Sequence, residues 1–161
     1  MRMYVFSFLL FTNVRIVFPY RYRVNGPRTT IAADRNPGQC WPMAGSKGHV
    51  LVKLSHTILV TGFTLEHIAR KSSPTNSIAS APKDFSVEVF RDFDSYRRLR
   101  GIKVGQLRYN ENGTNPDQFF ELTPGQRQVA SFVKLNVDSN YGHPQYTCLY
   151  RFRVHGIYHA G

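Results

Sequence analysis

The sequence predicts an all-β protein in which short strands pack face to face as a β-sandwich. Three observations support this fold class. Apolar and polar residues alternate over short runs, which is the pattern of a strand with one buried face. Residues that form turns separate these runs at regular spacing. The chain also contains 9 Tyr and 12 Phe residues, whose side chains favour strands.

The bulk composition narrows the class of protein further. A length of 161 residues favours one domain and suffices to bury a core. Hydrophobic residues make up 42% of the chain, which excludes a disordered protein. The net charge of +11 is typical of proteins that bind nucleic acid, anionic membranes or acidic partners. The basic residues form short, scattered groups rather than one long block, so we expect them to be solvated and expect no nucleic-acid binding.

The N-terminal segment, residues 1–26, has the least regular pattern. Two apolar runs lie on either side of Asn13, which predicts a β-hairpin. The first run is long enough for the core of a signal peptide, but no cleavage site of small residues follows it cleanly. No segment of the chain approaches the roughly 20 apolar residues of a membrane-spanning helix. We therefore treat residues 1–26 as a separate segment and residues 27–161 as the domain.

The central part of the chain alternates between strand patterns and turn signals. A loop rich in Ser, Pro and Asn covers residues 72–82, and a charged surface loop is expected over residues 91–103. Asn112 and Gly113 are a strong signal for a hairpin turn between the two flanking strands. With Thr114 they also form an N-glycosylation sequon, which is usable if this loop faces a lumen. The predicted strands cover residues 48–55, 58–68, 85–89, 104–109, 118–122 and 129–137.

The last strand pattern begins at Tyr146, after a turn that contains Gly142 and Pro144. From Tyr146 to His155, an apolar or aromatic face alternates with a basic face, which predicts one continuous strand. Tyr146 and Tyr150 are four residues apart and are therefore expected on the same face of that strand.

Residues that could carry catalysis are few. Cys40 and Cys148 lie far apart and by themselves indicate no more than buried thiols. Neither belongs to a C-x-x-C pair, so a zinc site is not indicated. The six histidines share no recognisable motif with a Ser or Cys nucleophile, and the chain has no G-x-S-x-G sequence. We therefore expect no enzymatic activity and no metal beyond the monovalent ion discussed below.

Longer stretches of the sequence resemble one family. Residues 37–41 read PGQCW, residues 63–68 read FTLEHI, and residues 72–87 read SSPTNSIASAPKDFSV. Residues 139–156 read SNYGHPQYTCLYRFRVHG. In the residues of these motifs, their order and their spacing, residues 19–156 resemble SUN domains, the family that spans the nuclear envelope together with KASH proteins. The resemblance implies a jelly-roll β-sandwich like those of the galactose-binding, discoidin-type domains.

The resemblance also implies three structural features. In SUN domains, the cysteines at the places of Cys40 and Cys148 form a disulfide, which fits an oxidising compartment. The loop matching residues 29–40 wraps a monovalent cation in the family, which implies a structural K⁺ ion held by oxygen ligands. A β-hairpin lid that clamps the KASH peptide would fall within residues 1–26. Upstream of Pro19 the sequence departs from the family, and the lid cysteine is missing. The positions that match the cation loop are Thr29, Ala32, Asp34 and Gln39, with the backbone near Tyr150, and Gln39 stands where the family usually has Asn.

The family's binding residues can be matched to this chain one by one. A KASH peptide ends in a Pro-rich tail with a free carboxylate, and its capture requires hydrogen-bond donors between aromatic walls. SUN domains use a His, a Ser and two Tyr, and the Ser and Tyr hydroxyls can donate to a carboxylate. The resemblance therefore implies that the domain binds the lumenal C-terminal tail of a KASH protein in the LINC complex, which links the nucleus to the cytoskeleton. The matching residues here are His67, Ser80, Tyr146 and Tyr150.

Assembly and location are implied in the same way. SUN proteins are homotrimers of the inner nuclear membrane, with the SUN domain in the perinuclear space. Their membrane helix and trimerising coiled coil precede the SUN domain and are not among these 161 residues, so we expect a fragment, a short isoform or a misjoined gene model. Two alternative functions stay open. One is a basic β-sandwich that binds glycan or nucleic acid, and the other is a truncated SUN domain that has lost partner binding.

Overall fold

The computed structural model describes residues 25–34 and 36–159, together with the backbone of a two-residue strand near the N-terminus. The N-terminal hairpin predicted for residues 1–26 lies outside the described residues apart from that strand. Short 3₁₀ turns occur at Pro27–Ile31, Arg70–Ser72 and Pro124–Gln126, and one short helix, α1, covers Phe93–Arg97. The strands are β1 Phe8–Leu9, β2 Trp41–Ala44, β3 Gly48–Glu66, β4 Asp84–Phe90, β5 Ile102–Arg108, β6 Asp117–Glu121, β7 Val129–Val137, β8 Tyr146–Leu149 and β9 Arg151–Tyr158.

The 19-residue strand β3 connects two groups of strands. Its first half pairs with β7, which continues through β4 to β5. Its second half pairs with β6 and with β9. All of these pairings are antiparallel, and a separate two-stranded sheet is formed by β2 and β8. The arrangement confirms the all-β class that the sequence predicts.

The sequence pattern predicts β3 as two strands, 48–55 and 58–68, and this prediction is wrong. The backbone continues through the polar residues Ser55, His56 and Thr57, where the pairing with β7 shifts register between Lys53 and Ile58. Ser55 and His56 are exposed at this bulge. A bulge interrupts the alternation of apolar residues without ending the strand, so its polar residues resemble a turn in the sequence.

The hairpin predicted around Asn112 and Gly113 is also wrong. The strands on either side do not pair with each other, because β5 pairs with β4 and β6 pairs with β3. The turn instead belongs to a longer connection that Tyr109 closes by donating from its hydroxyl to the carbonyl of Pro116 (2.9 Å). A local turn signal cannot report which strands will be neighbours in space. In a similar way, the surface loop predicted over residues 91–103 contains α1 and the start of β5.

The continuous strand predicted from Tyr146 to His155 is two strands in two different sheets. The first, β8, pairs with β2, whereas β9 pairs with β3, and Tyr150 lies between them. Thr147 and Leu149 are buried as well as Cys148, so β8 is covered on both faces. The alternation of apolar residues continues across the break, and for this reason the sequence pattern does not reveal it.

The core lies among the buried faces of the long strands. Phe63 and Phe152 stack in it with ring centroids 5.7 Å apart, and Phe85 meets Phe120 edge to face at 5.2 Å. Most of its other members are aliphatic side chains from β3, β4 and β7. Burial of these side chains, at about 1.5–3 kcal/mol each, is the main force that holds the loops of the candidate site in place.

A buried ion pair lies where β3 ends. The side chain of Glu66 is 1% exposed and contacts the guanidinium groups of Arg151 and Arg153 on the neighbouring strand β9. The side chains of these two arginines are 20% and 19% exposed. This cluster fixes the end of β3 directly before the first residue of the candidate site.

Candidate functional site

His67 follows the last residue of β3 and is held firmly. Its backbone N–H donates to the carbonyl of Pro116 (3.1 Å), and the residue is 3% exposed. Its imidazole ring meets the ring of Tyr150 edge to face, with centroids 4.8 Å apart. The end of β3 therefore positions a buried imidazole against an aromatic wall.

The protonation state of His67 follows from this environment. Burial lowers its pKa to about 4, so the ring is neutral near pH 7. Its Nδ1 lies 3.1 Å from the carbonyl oxygen of Ile68, which can only accept, so Nδ1 carries the proton and Nε2 is an acceptor. Nε2 is buried and has no hydrogen-bond partner within the described part of the chain. Buried polar atoms are nearly always paired, so an unpaired one stands out as a candidate acceptor for a water molecule or a ligand group.

Tyr150 contributes a hydrogen-bond donor to the same place. Its hydroxyl oxygen accepts from the backbone N–H of Gly38 (3.1 Å), which leaves its own hydrogen to be donated elsewhere. Burial raises the pKa of this phenol, so the hydroxyl keeps its hydrogen at neutral pH. The left-handed conformation of Gly38, with φ of +86°, is one that suits glycine and turns this N–H toward the ring.

Ser80 and Tyr146 are both placed by β8, which contains Tyr146 and is hydrogen-bonded to Ser80. The carbonyl of Ser80 accepts from the N–H of Cys148 (2.7 Å), midway between the two tyrosines. Tyr146 packs against the buried cluster of Cys40, Cys148 and Tyr150. The four residues that the resemblance implies are thus neighbours. The expected reason, two tyrosines on one face of one strand, is wrong, because the chain changes sheets at Tyr150.

A disulfide between Cys40 and Cys148 ties the site together, as the resemblance implies. The two Cα atoms are 5.5 Å apart, and the bridge links residues separated by 108 positions. It joins the end of the loop at residues 29–40 to β8, next to the β2–β8 pairing. The bridge therefore couples the predicted cation loop to the strand that carries Tyr146.

The four predicted cation-loop residues lie in one turn-rich loop before β2. The N–H of Ala32 donates to the carbonyl of Thr29 (3.0 Å), and Asp34 Oδ1 accepts from the N–H of Asn36 (3.0 Å). The side-chain oxygen of Gln39 accepts from Asn25 (3.3 Å). The loop thus offers several carbonyl oxygens and one carboxylate, the hard ligands that alkali-metal ions prefer. Between residues 25 and 159, Arg35 aside, no group of three His, Cys, Asp or Glu side chains is placed to hold another kind of metal.

A groove of about 200 Å³ lies beside the site. Ile68, Tyr109 and Pro116 line its inner wall, and the ion pair between Arg70 and Glu111 (2.8 Å) lies at its rim. None of the four predicted binding side chains lines this groove.

Two residues near the site could not be identified from the sequence. The ring of Tyr109 lies 6.2 Å from that of His67, and burial raises its pKa. The ring of His143 lies 3.9 Å from that of Tyr146, and its Nδ1 accepts from the N–H of Tyr146 (3.3 Å). Tyr109 appears in the sequence as the end of a strand and His143 as part of a turn. No periodicity links either residue to the site, so only the tertiary structure reveals them.

The buried state of His67 predicts a specific pH dependence of stability. Its pKa is about 4 in the folded protein and near 6.5 when unfolded, so the unfolded chain takes up a proton first as the pH falls. Stability from this group is complete above pH 6.5 and is lost progressively toward pH 4, by about 3 kcal/mol in total. We expect His67→Gln to flatten this part of the curve when unfolding free energy is measured by urea titration across the range. Parallel curves for the two proteins would contradict the buried, neutral imidazole.

The described strands define a β-sandwich domain of antiparallel sheets. Among solved structures, the chain is similar to the family 32 carbohydrate-binding module from Streptococcus pneumoniae EndoD, with a TM-score of 0.69 at 17% identity. That match covers 93% of this chain and 95% of the other, and it confirms the discoidin-like sandwich. At this identity the similarity establishes the fold alone.

Sequence comparison identifies the family. The family model described as Sad1/UNC-like C-terminal matches residues 20–157. The chain is 47% identical over 132 residues to human SUN domain-containing protein 3 and 37% identical over 141 residues to nuclear migration and anchoring protein unc-84 of Caenorhabditis elegans. The matches cover 81% and 86% of this chain, but only 35% and 12% of those proteins. The chain belongs to the SUN domain family.

Proposed function

We propose that this SUN domain binds the C-terminal tail of a KASH protein in the perinuclear space and so helps link the nucleus to the cytoskeleton. One observation carries the proposal. The unpaired Nε2 belongs to the buried imidazole of His67, which packs against the ring of Tyr150, and the hydroxyl of Tyr150 has a hydrogen available for donation. Ser80 and Tyr146 lie next to this pair and add two more hydroxyls.

The chemistry of such a site suits a Pro-rich peptide with a free carboxylate. Hydroxyl groups of Ser80, Tyr146 and Tyr150 can donate to the two carboxylate oxygens. The rings of Tyr146 and His143 offer an aromatic wall for proline, which enters already extended and loses little entropy on binding. The neutral Nε2 of His67 can accept an N–H of the peptide. In a trimer, a second protomer would supply further walls for the peptide.

The test is fluorescence anisotropy with a labelled peptide that ends in Pro-Pro-Pro-x, compared with the same peptide extended by one residue. The domain is fused to a trimerising coiled coil, and light scattering verifies the trimer. Binding that disappears on extension supports capture of the terminal carboxylate. Absence of binding by the folded trimer, or equal binding of both peptides, would refute the proposal.

We also propose that the loop at residues 29–40 holds a structural K⁺ ion. Carbonyls near Thr29 and Ala32, the side chains of Asp34 and Gln39, and the backbone near Tyr150 would hold it, and the ion would neutralise converging oxygens. Replacing KCl by choline chloride at equal concentration is expected to lower the Tm measured by calorimetry. Asp34→Asn should reduce the difference between the two salts. A Tm that is identical in both salts would contradict a bound ion.

A lumenal location predicts a modification at Asn112. This residue is exposed in the turn after β5, it starts the sequon completed by Thr114, and the Cys40–Cys148 disulfide fits an oxidising lumen. We expect the chain, when targeted to the endoplasmic reticulum, to run as a larger species that peptide N-glycosidase F converts to the unmodified size. Asn112→Gln should remove the shift, whereas Asn110→Gln should retain it. An unshifted wild-type chain after targeting would contradict the prediction.

A further inference from the structure

The segment of residues 91–103, which runs from the end of β4 into the first two residues of β5, concentrates exposed basic and apolar side chains, and we call it the β4–β5 loop. It has five basic residues and two acidic ones, Asp92 and Asp94. Three of the six large hydrophobic side chains that are exposed in the described part of the chain lie here: Phe93 at 42%, Leu99 at 83% and Ile102 at 51%. The basic residues, all exposed, are Arg91, Arg97, Arg98, Arg100 and Lys103.

The positive charge of this loop is only partly offset by its two aspartates, which leave a net charge of +3 from five basic and two acidic residues. Among the described residues, no carboxylate forms an ion pair with the arginines of the loop. Asp92 is already committed as the N-cap of α1, where its carboxylate accepts from the N–H of Ser95 (2.7 Å). That bond is the main reason why the pKa of Asp92 is lowered, so the carboxylate stays charged at its cap. The arginines therefore face solvent as a cationic surface.

Leu99 occupies a position that normally suits glycine. It follows the last residues of α1 in a left-handed conformation, with φ of +53°. Its N–H donates to the carbonyl of Tyr96 (3.0 Å), and the N–H of Arg100 donates to that of Ser95 (2.8 Å), which together form a Schellman motif. Glycine adopts this conformation without strain, whereas leucine does not, and the Leu99 side chain is too exposed to compensate by burial. The folded domain by itself gains nothing from leucine here.

Contacts between α1 and the sheet hold the turn that carries Leu99 in place. Tyr96 packs edge to face on Phe90 of β4 with centroids 5.3 Å apart, and Phe93 lies 5.7 Å from Phe132 of β7. These contacts hold the inner side of α1 on the sheet. Leu99 and its flanking arginines consequently project from a supported turn rather than from a loose segment.

We propose that the β4–β5 loop docks on the surface of an anionic membrane. The basic side chains would meet the lipid headgroups, and Leu99 with Ile102 would enter the apolar layer beneath them. A cationic ring around an aliphatic tip matches a charged surface that covers a hydrocarbon phase. Nucleic acid offers the charge but no apolar layer for an aliphatic side chain, and it favours aromatic stacking partners instead.

This surface is separate from the peptide site. The loop that carries Ser80 precedes β4 and α1 follows it, so the seven residues of β4 lie between them. At about 3.3 Å per residue, the two sites are roughly 20 Å apart. Membrane docking and peptide binding can therefore be tested independently, and failure of one would leave the other intact.

The experiment is sedimentation of the purified protein with vesicles of phosphatidylcholine, with and without phosphatidylserine. We expect binding only when phosphatidylserine is present. Arg97→Gln with Arg98→Gln should weaken it about 30-fold, whereas Lys47→Gln with Lys71→Gln, which removes the same charge elsewhere, should have little effect. Leu99→Gly should weaken binding about tenfold while leaving the Tm unchanged or higher.

Several outcomes would overturn the proposal. They are no binding of the folded protein to phosphatidylserine vesicles, equal losses in the two double variants, or unchanged binding of Leu99→Gly. A polyglutamate peptide and double-stranded DNA of matched charge serve as competing probes. If either binds with the same dependence on Leu99, the surface is for an acidic protein or nucleic acid and the lipid assignment is wrong.

Discussion

Replacing Ser80 by Asp is expected to reduce the affinity for a peptide ending in Pro-Pro-Pro-x by about 100-fold or more, while the domain stays folded. The substitution places a carboxylate where the proposed site receives the peptide's own. At about 5 Å and an effective dielectric constant near 20, two such charges repel by roughly 3 kcal/mol, which corresponds to this loss. The fold should survive because Ser80 is tied to Cys148 through its backbone carbonyl.

Two controls separate charge repulsion from other effects of the Ser80 substitution. Ser80→Ala removes one hydroxyl donor and should cost only about 1 kcal/mol of binding free energy. Ser77→Asp adds the same charge three residues away at an exposed position, where the serine side chain only accepts from the N–H of Ala79. Anisotropy measurements should rank the affinities as wild type and Ser77→Asp first, then Ser80→Ala, then Ser80→Asp. Wild-type affinity in Ser80→Asp would refute the assignment of the carboxylate site.

The second large effect is expected from Glu66. Glu66→Gln should lower the free energy of unfolding by about 3–5 kcal/mol, because it leaves Arg151 and Arg153 without the charge that compensates for their burial. For a domain of this size such a loss is a large part of the total stability. Chemical denaturation followed by fluorescence of Trp41, itself buried in the core, measures the change directly.

A surface pair provides the matched comparison for Glu66. Glu88 contacts Lys134 at 3.6 Å, and their side chains are 31% and 21% exposed. The same chemical change, Glu88→Gln, should cost less than about 1 kcal/mol. If Glu66→Gln were no more destabilising than Glu88→Gln, the buried cluster would have no special role in holding the end of β3.

Sequence patterns predict those strands whose alternation is uninterrupted. Residues 85–89 and 129–137 are predicted as strands, and they match β4 and β7 because each has one core-facing side. The strand predictions fail in two kinds of place. At Ser55, a bulge makes the single strand β3 look like two strands, and at Tyr150, uninterrupted alternation makes β8 and β9 look like one strand. Strand pairing is a property of the whole fold, so a local signal such as Asn112-Gly113 cannot establish it.

Sequence patterns alone do not identify the candidate site either. His67, Ser80, Tyr146 and Tyr150 could be named from the sequence only because their surroundings resemble a family. Their contacts with one another depend on chain reversals that no periodicity encodes. Tyr109 could not be identified from the sequence at all, because its closeness to His67 arises from the connection between β5 and β6.

The position of β3 in the chain has a consequence for synthesis. Its last residue, Glu66, is made long before the ends of its partners β6, β7 and β9, of which the last ends at Tyr158. At 5–20 residues per second, the ribosome needs roughly 5–20 s to add the intervening stretch. Until β9 has been made, this long strand lacks at least one of these three neighbours, and pairing can be completed only when nearly the whole chain has emerged. The edges of β3 that stay unpaired during this time are where aggregation would begin.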